Sequence, residues 1–356
     1  MSPLRVIVAG TAFGRIYLEA VRSAPEEFEL AGILAAGSVA SREIAAGLNV
    51  PLYSAADQVP QVDIACVVVR SGALGGAGTS IAQSLLRRGV SVLQEHPVHP
   101  DELGPTLRVA AANDVAYAVN TLYPDLASVQ RFLAVTQVLR RHPIRFVDAA
   151  CAGQVAYPLV EILCRLAGAV RPFHFELLDG RGPFSVIAAT IGGVRVTLRL
   201  QNQLHPADPD NHALLLHRLS VGTDAGVLAL ADTHGPVLWN PRLHAVRDST
   251  GRLVLAGVGT ERLAVPTTIQ LGPSPGDYHA VFAELWPAAV LTALRRLRTE
   301  IEDPGGRVRT RQWVLGVATA WSALTAAVGS PELIDRSAPP QIPIEELLAA
   351  AYLEGM

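Results

Sequence analysis

Two short segments of this 356-residue chain hold side chains that can move a proton in a ligand crevice. Glu95-His-Pro-Val-His-Pro100 offers His96, an imidazole whose ordinary pKa of ~6.5 lets it release a proton near neutrality. Asn120-Thr-Leu-Tyr-Pro-Asp125 offers Tyr123, a phenol of ordinary pKa ~10 that donates a hydrogen bond without first being charged. Asn120 beside it either orients a ligand or simply ends a strand in a turn. Two further segments are rich in glycine. Gly10-Thr-Ala-Phe-Gly14 has the composition of an anion-binding turn, and Arg70-Ser-Gly-Ala-Leu-Gly-Gly-Ala-Gly-Thr79 places four glycines in ten residues, which suits close approach of backbone to a ligand.

Composition removes other chemistries. All 29 basic residues are arginine, so no lysine amine is present for a Schiff base or for pyridoxal phosphate attachment. The net charge of -3 supplies no basic field for a nucleic acid or an anionic membrane surface. Half of the residues are apolar and only 17% are charged, which excludes a mainly disordered chain. Cys66, Cys151 and Cys164 are odd in number, widely spaced and set among apolar neighbours, as expected for reduced core thiols in the cytoplasm. The uncharged stretch Gln312 to Pro331 carries glycine and hydroxyl residues that suit a buried helix better than a membrane span, and the N-terminus has no signal-peptide pattern.

The elements that must position these residues follow from periodicity. Over the first 120 residues short apolar runs alternate with helical spacing: strands at Val6 to Ala9, Phe28 to Ala35, Val50 to Tyr53, Asp63 to Val69, Val90 to Gln94 and Val115 to Val119, with helices between them. That rhythm predicts a doubly wound parallel sheet, a Rossmann domain, over residues 1–122. After Pro124 a helix near Leu126 to Arg140 is followed by strands at Ile144 to Ala150, Phe173 to Leu178, Phe184 to Ile191, Val194 to Leu200 and Leu214 to Val221, joined by tight turns. Residues 123–356 therefore read as an α+β domain with a mainly antiparallel sheet. Two long helical patterns close it, Asp277 to Glu302 and Arg309 to Ala327, and these could pack back on the first domain.

In such a fold the glycine loop Gly10, Thr11, Ala12, Phe13, Gly14 lies where the first strand meets the first helix, the place for a dinucleotide pyrophosphate. Ala12 stands where the usual pattern has its second glycine. The end of the second strand reads Gly37-Ser-Val-Ala-Ser-Arg42, without the acid that usually binds a ribose 2′-hydroxyl about 20 residues past the loop. Gly37, Ser38, Ser41 and Arg42 instead suit a 2′-phosphate, so NADPH is expected over NADH, although Ser38 or Ser41 also fits a helix cap and Arg42 a surface arginine. The ends of the fourth to sixth strands converge on one crevice. There Arg70, Ser71, Glu95 and His96 are expected at the cofactor, and Gly75, Gly76, Asn120 and Tyr123 at the substrate.

These segments resemble thiazolinyl imine reductases of siderophore biosynthesis, within the glucose-fructose oxidoreductase and inositol dehydrogenase-like superfamily. The resemblance rests on Gly10 to Ala20, Ala36 to Glu43, Val68 to Ser71 with Gly75 to Thr79, Gln94 to Pro100 and Val119 to Pro124. It extends to Leu200-Gln-Asn-Gln-Leu204, Asn211 to His217 and His234 to Pro241. It implies NADPH-dependent reduction of a thiazoline or oxazoline C=N bond on an intermediate carried by a nonribosomal peptide synthetase carrier protein, in a cytoplasmic enzyme that forms a homodimer. Sugar-oxidising members of the superfamily carry Glu-Lys-Pro at the fifth strand and an Asp-x-x-x-His pair on a later helix. Here His96 takes the lysine position and Glu161 with Arg165 takes the later pair.

Imine reduction needs an acid at the nitrogen, with His96 and Tyr123 the two candidates. A sugar or cyclitol dehydrogenase and a non-catalytic NADP-binding subunit are the rival readings. No metal is expected: His96 and His99 lack a third ligand, and His205, Asp208, Asp210 and His212 read as a solvated loop. Arg295-Arg-Leu-Arg298 reads as a solvated basic face or a carrier-protein contact.

Overall fold

The computed structural model describes residues 2–335, 337 and 340–351. Its first sheet is six-stranded and wholly parallel, in the order β3-β2-β1-β4-β5-β6. The strands are β1 Leu4–Ala9, β2 Phe28–Leu34, β3 Leu52–Tyr53, β4 Ile64–Val67, β5 Ser91–Glu95 and β6 Tyr117–Asn120. Between them run α1 Gly14–Arg22, α2 Val39–Gly47, α3 Gly78–Arg87 and α4 Pro100–Ala112. The central strands are continuous apolar runs because helices cover both faces, and Ile7, Val8, Ile64, Ala65, Cys66 and Val67 are all buried. The strand order reverses between β1 and β4, and that switch point opens the crevice at the carboxyl ends of the strands.

The second sheet has eight strands, mainly antiparallel, with β7 and β10 as its parallel pair. After α5 Ala127–Leu139 come β7 Ile144–Ala152, α6 Ala156–Ala167, β8 Phe173–Asp179, β9 Phe184–Ile191, β10 Val194–Gln201, β11 Gln203–Leu204, β12 His217–Thr223, β13 Gly226–Leu230, β14 Val237–Pro241 and β15 Ile269–Gln270. The fold class is the one periodicity predicts; the elements it leaves out include helix α6, strands β13 and β14, the two-residue strands β11, β15 and β16, and helix α10. The chain closes with α7 Tyr278–Ala280, α8 Trp286–Glu302, α9 Arg307–Val328, β16 Glu332–Leu333 and α10 Ile344–Ala351.

The helical pattern from Asp277 to Glu302 is not one regular helix. Val281–Leu285 forms a π-helical turn, because Pro287 has no N–H for the carbonyl four residues back. Helix α9 covers the stretch Gln312 to Pro331 as far as Val328, and among the described residues no helix is long and apolar enough to cross a membrane. The three cysteines are buried and unpaired.

Helices α8 and α9 return to the first sheet, α8 against α1 and α9 against α4. The basic run lies on a largely solvated face, as expected, and is tied down there by carboxylates. Arg295 pairs with Glu27, and Arg296 grips Asp125 with two hydrogen bonds of 2.6 and 2.7 Å. Asp125 is only 1% exposed in its side chain and also meets Arg165 at 3.5 Å. A buried carboxylate needs such partners, whereas Glu302, paired with Arg298, is 42% exposed and has water as an alternative partner. Replacing Arg296 by methionine should therefore destabilise the protein by about 2 kcal/mol, the order of a charged hydrogen-bonded pair. Chemical denaturation checks this, and a loss below about 0.5 kcal/mol would show that Asp125 is satisfied without it.

Candidate active site

The cofactor loop is built by strand β1 running out against β4. Gly10 sits at φ +96°, where a Cβ would strike the Val68 carbonyl, so the turn requires glycine. The N–H of Gly10 bonds to Leu34, but those of Thr11, Ala12 and Phe13 donate to no protein acceptor. Three consecutive free N–H groups ahead of helix α1 form a cradle for a phosphate, which fits a dinucleotide cofactor despite Ala12.

At the end of β2, Gly37 lies at φ +80° and Ser38 caps α2, accepting the Ser41 N–H at 3.2 Å. The helix thus begins at Val39, directly after the cap. Buried Ser41 turns its hydroxyl onto the Ser38 carbonyl at 3.0 Å, and Arg42 folds back onto the Gly37 carbonyl. The structure brings all four residues together in one turn. Ser38 and Ser41 are used in building that turn; Arg42 is exposed and has only to leave a carbonyl to meet an anion.

The glycine-rich segment from Arg70 to Thr79 is organised by its own backbone. Gly72–Leu74 is a 3₁₀ turn, Gly75 is left-handed at φ +74°, and side chains at Gly76 or Gly78 would collide with the Arg70 or Val69 carbonyls. These glycines are required for internal closure of the loop, a reason distinct from approach of a ligand. Glu102 pins the segment, accepting from Gly72 N at 3.2 Å and Thr79 Oγ1 at 2.5 Å. Ser71 donates to the Pro97 carbonyl at 2.8 Å, while exposed Arg70 makes no ion pair.

The crevice floor is a hydrogen-bonded chain. Tyr17 of α1 donates to Glu95 Oε2 at the end of β5, and Asn120 at the end of β6 donates to the Tyr17 hydroxyl at 2.5 Å. Asn120 Oδ1 in turn accepts the Leu122 N–H at 3.1 Å. Leu122 holds φ +58° and ψ -64°, and Tyr123 N bonds to Thr121 O at 2.6 Å, a strained γ-turn. Next to it Thr121 donates to Glu161 Oε2 at 2.5 Å, and Glu161 Oε1 takes two bonds from Arg165, of 3.0 and 2.6 Å. Glu161 and Arg165 are thus committed to an ion pair that holds the turn.

Tyr123 stands on this turn, its ring edge-on to His217 at 4.9 Å and to Trp286 at 6.1 Å. Its hydroxyl makes no protein hydrogen bond, and burial raises its pKa above the ordinary phenol value. His96 stacks on Tyr157 at 5.8 Å, with Nε2 3.5 Å from Glu95 Oε1 and Nδ1 buried without a partner. Burial, reinforced by His217, holds its pKa at about 3, so it is neutral near pH 7 and does not keep the ordinary value assumed from sequence. Glu95 moves the other way, to about 8, because desolvation outweighs the Tyr17 hydrogen bond.

Several groups were not legible as site residues. His217 is fully buried, its ring between Thr233 Oγ1 at 3.1 Å and the Val155 carbonyl at 3.0 Å, and its pKa falls to about 4 by desolvation. Trp286 donates to His234 Nε2 at 3.2 Å and packs 5.6 Å from Phe13 of the cofactor loop. A helix-spaced aromatic such as Tyr17 gives the same sequence signal as any core residue. His99 caps α4 and His205 stacks on His212 at 4.4 Å; no metal-binding cluster exists among the described residues.

A parallel sheet with a phosphate cradle at its switch point and titratable groups at the neighbouring strand ends is the arrangement of a dinucleotide-binding site next to a reaction crevice. Residues 4–121 match the oxidoreductase family with an NAD-binding Rossmann fold, GFO_IDH_MocA. Residues 142–240 match the C-terminal domain model of thiazolinyl imine reductase, Irp3-like. Both halves of the resemblance seen in the sequence are therefore matched. No curated protein sequence matches the chain.

Among solved structures, GenD2 from gentamicin A biosynthesis, in complex with NAD, is 13% identical with TM-score 0.64, covering 92% of this chain and 95% of its own. An oxidoreductase from Agrobacterium radiobacter in complex with NAD+, L-tartaric acid and magnesium is 9% identical with TM-score 0.67, covering 91% and 96%. UDP-N-acetylglucosamine 3-dehydrogenase GnnA from Acidithiobacillus ferrooxidans is 14% identical with TM-score 0.61, covering 92% and 99%. At these identities the likeness is one of fold.

The opposed shifts set a pH dependence of stability. His96 and His217 stay neutral in the fold down to about 3 and 4 but take protons below their ordinary 6.5 when unfolded, so their contribution rises with pH from about 4 to 6.5. Glu95 keeps its proton in the fold up to about 8 and loses it near 4.5 when unfolded, so its contribution falls as pH rises through that window. Thermal unfolding should show Glu95→Gln gaining on the wild type steadily from pH 4.5 to 8. A constant difference across that range would mean that Glu95 titrates normally.

Proposed function

We propose that the protein reduces the C=N bond of a thiazoline, or the related oxazoline, with NADPH, while the substrate is tethered to a nonribosomal peptide synthetase carrier protein. The observation that carries this reading is the match of residues 142–240 to the thiazolinyl imine reductase C-terminal domain, placed beside a crevice without the groups of alcohol oxidation. Alcohol oxidation requires a base to take the hydroxyl proton. Here no lysine exists, His96 occupies its place, and Glu161 and Arg165 are bound to each other and to Thr121.

The bound cofactor supplies the hydride that reaches the imine carbon. The free N–H groups of Thr11, Ala12 and Phe13 hold its pyrophosphate, with Gly10 and Gly14 giving the turn. Gly37 and Arg42 receive the 2′-phosphate, Arg42 turning away from the Gly37 carbonyl to do so, on a turn that Ser38 and Ser41 build. Arg70, Ser71, Glu95 and His96 line the remainder. Tyr123, with the loop at Gly75 and Gly76, orients the ring, its free hydroxyl available to hydrogen-bond to it, while Asn120, expected at the substrate from sequence, is fully buried with both ends of its amide in use and holds Tyr17 and the turn instead. A homodimer, with the carrier protein as transient partner, completes the proposal.

Two measurements test it. Arg42→Ala should weaken NADPH binding by about 2 kcal/mol, as for one charge-assisted pair, with NADH nearly unaffected. Equal losses for both would place the phosphate elsewhere. NADPH oxidation should depend on a thiazoline and proceed with a much lower KM for the carrier-bound form than for a free mimic, since remote binding energy is lost with the tether. Oxidation of free polyols with NADP+, and no thiazoline turnover, would replace this reading with the sugar dehydrogenase one.

A further inference from the structure

Imine reduction needs a proton at nitrogen, and the crevice holds three groups at the strand ends that could give it: His96, Tyr123 and Glu95. Their surroundings separate them. The buried His96 ring is neutral near pH 7, so its conversion to imidazolium would require uptake of a charge into an apolar site. Burial also raises the Tyr123 phenol, and its hydroxyl has no protein hydrogen bond that would stabilise the phenolate left after donation.

Glu95 has the opposite arrangement. Its Oε2 is anchored by the Tyr17 hydroxyl, which is itself held by Asn120. Its Oε1 makes no hydrogen bond, lies 3.5 Å from His96 Nε2, and is not sealed from solvent: the side chain is 15% exposed at the carboxyl end of β5. One oxygen is fixed and the other is free, in the crevice, beside the residue at the position of the missing lysine.

We propose that Glu95, through its free Oε1, is the acid that protonates the imine nitrogen, and that Tyr17 and Asn120 are positioning residues that stabilise the carboxylate it becomes. This rests on the imine-reductase reading above and names the proton source within it. As the imine carbon accepts the hydride, the C=N electron pair moves onto nitrogen and forms a bond to the Oε1 proton. The O–H bond breaks and its electrons stay on Glu95. Tyr17 already donates to Oε2, so the new charge meets an oriented dipole without rearrangement. After product leaves, water returns the proton through the exposed edge of the carboxyl.

The titratable groups around Glu95 leave it as the proton carrier. Tyr17 from α1, Cys66 from β4, Tyr123 beyond β6 and Tyr157 from α6 are all raised by burial and remain neutral, as do His96 and His217 from β12. Asp210, near Tyr123, adds a negative charge that disfavours ionisation. Glu95 itself keeps its proton to about pH 8.

The test combines kinetics with direct titration. With a carrier-bound thiazoline, kcat should fall above about pH 8. Glu95→Gln should lower kcat by at least ~100-fold, the range for loss of a general acid, with the NADPH dissociation constant changed less than about threefold. Tyr17→Phe removes the bond that favours the carboxylate, so its alkaline limb should move to higher pH, whereas a purely structural role for Tyr17 would reduce activity without moving the limb. A Glu95→Gln enzyme that retains more than a tenth of kcat, or an unmoved limb in Tyr17→Phe, overturns the proposal. Infrared difference spectra of the free protein separate this from failure of the imine-reductase reading. A protonated carboxyl band at pH 7 that is absent in Glu95→Gln supports Glu95 as the acid of the crevice even if no thiazoline is reduced, and titration in the ordinary carboxylate range overturns it.

Discussion

The site depends on how the chain leaves β6. Asn120 is fully buried and uses both ends of its amide, one holding the Tyr17 hydroxyl and the other the N–H of Leu122 in the γ-turn. A strained turn persists only where its surroundings over-determine it, and here Thr121 is tied to Glu161 while Tyr123 packs against His217 and Trp286. The same few residues therefore fix the tyrosine of the second domain against the strand ends of the first. Glu161 with Arg165, and Asp125 with Arg296, extend that clamp into α6 and α8.

Burial without fixed charge gives the crevice its electrostatic character. Desolvation pushes acids up and histidines down, so Glu95, His96 and His217 are all neutral near pH 7 although each is ionisable. A site of this kind accepts an uncharged ring more readily than one containing a free carboxylate would, and a low dielectric strengthens every hydrogen bond within it. In the proposed complex the cofactor's charges would be met elsewhere, by backbone N–H groups at α1 and by the turn before α2. Separation of phosphate binding from the neutral reaction space follows from the parallel sheet, whose switch point lies one strand away from Glu95.

Much of this was legible from sequence because parallel strands buried on both faces leave continuous apolar runs, and β1, β2 and β4 stand out for that reason. Helix α6 did not, since all of its residues except Arg165 are buried and no polar face marks a 3.6-residue period. Strands β13 and β14 are short and separated by turn-forming residues, so alternation had little length in which to show. At the site, Gly10, His96 and Tyr123 were visible by type and position. The Tyr17 to Glu95 contact joins residues 78 positions apart, and neither that bond nor the desolvation that reverses the ordinary acid order of Glu95 and His96 has a local signature. The glycines at 76 and 78 were visible too, but the reason for them, collision with carbonyls of their own loop, emerges only from the folded backbone.

The most direct measurement of the central claim is the fate of a labelled hydride. The protein would be incubated with NADPH carrying deuterium on the transferred position and a carrier-bound thiazoline, and the released ring analysed by mass spectrometry. The account predicts a saturated ring with one deuterium on the former imine carbon and an exchangeable proton on nitrogen. A ring recovered unreduced, while the label appears instead on the new alcohol carbon of a ketosugar or ketocyclitol supplied in a parallel incubation, would contradict it.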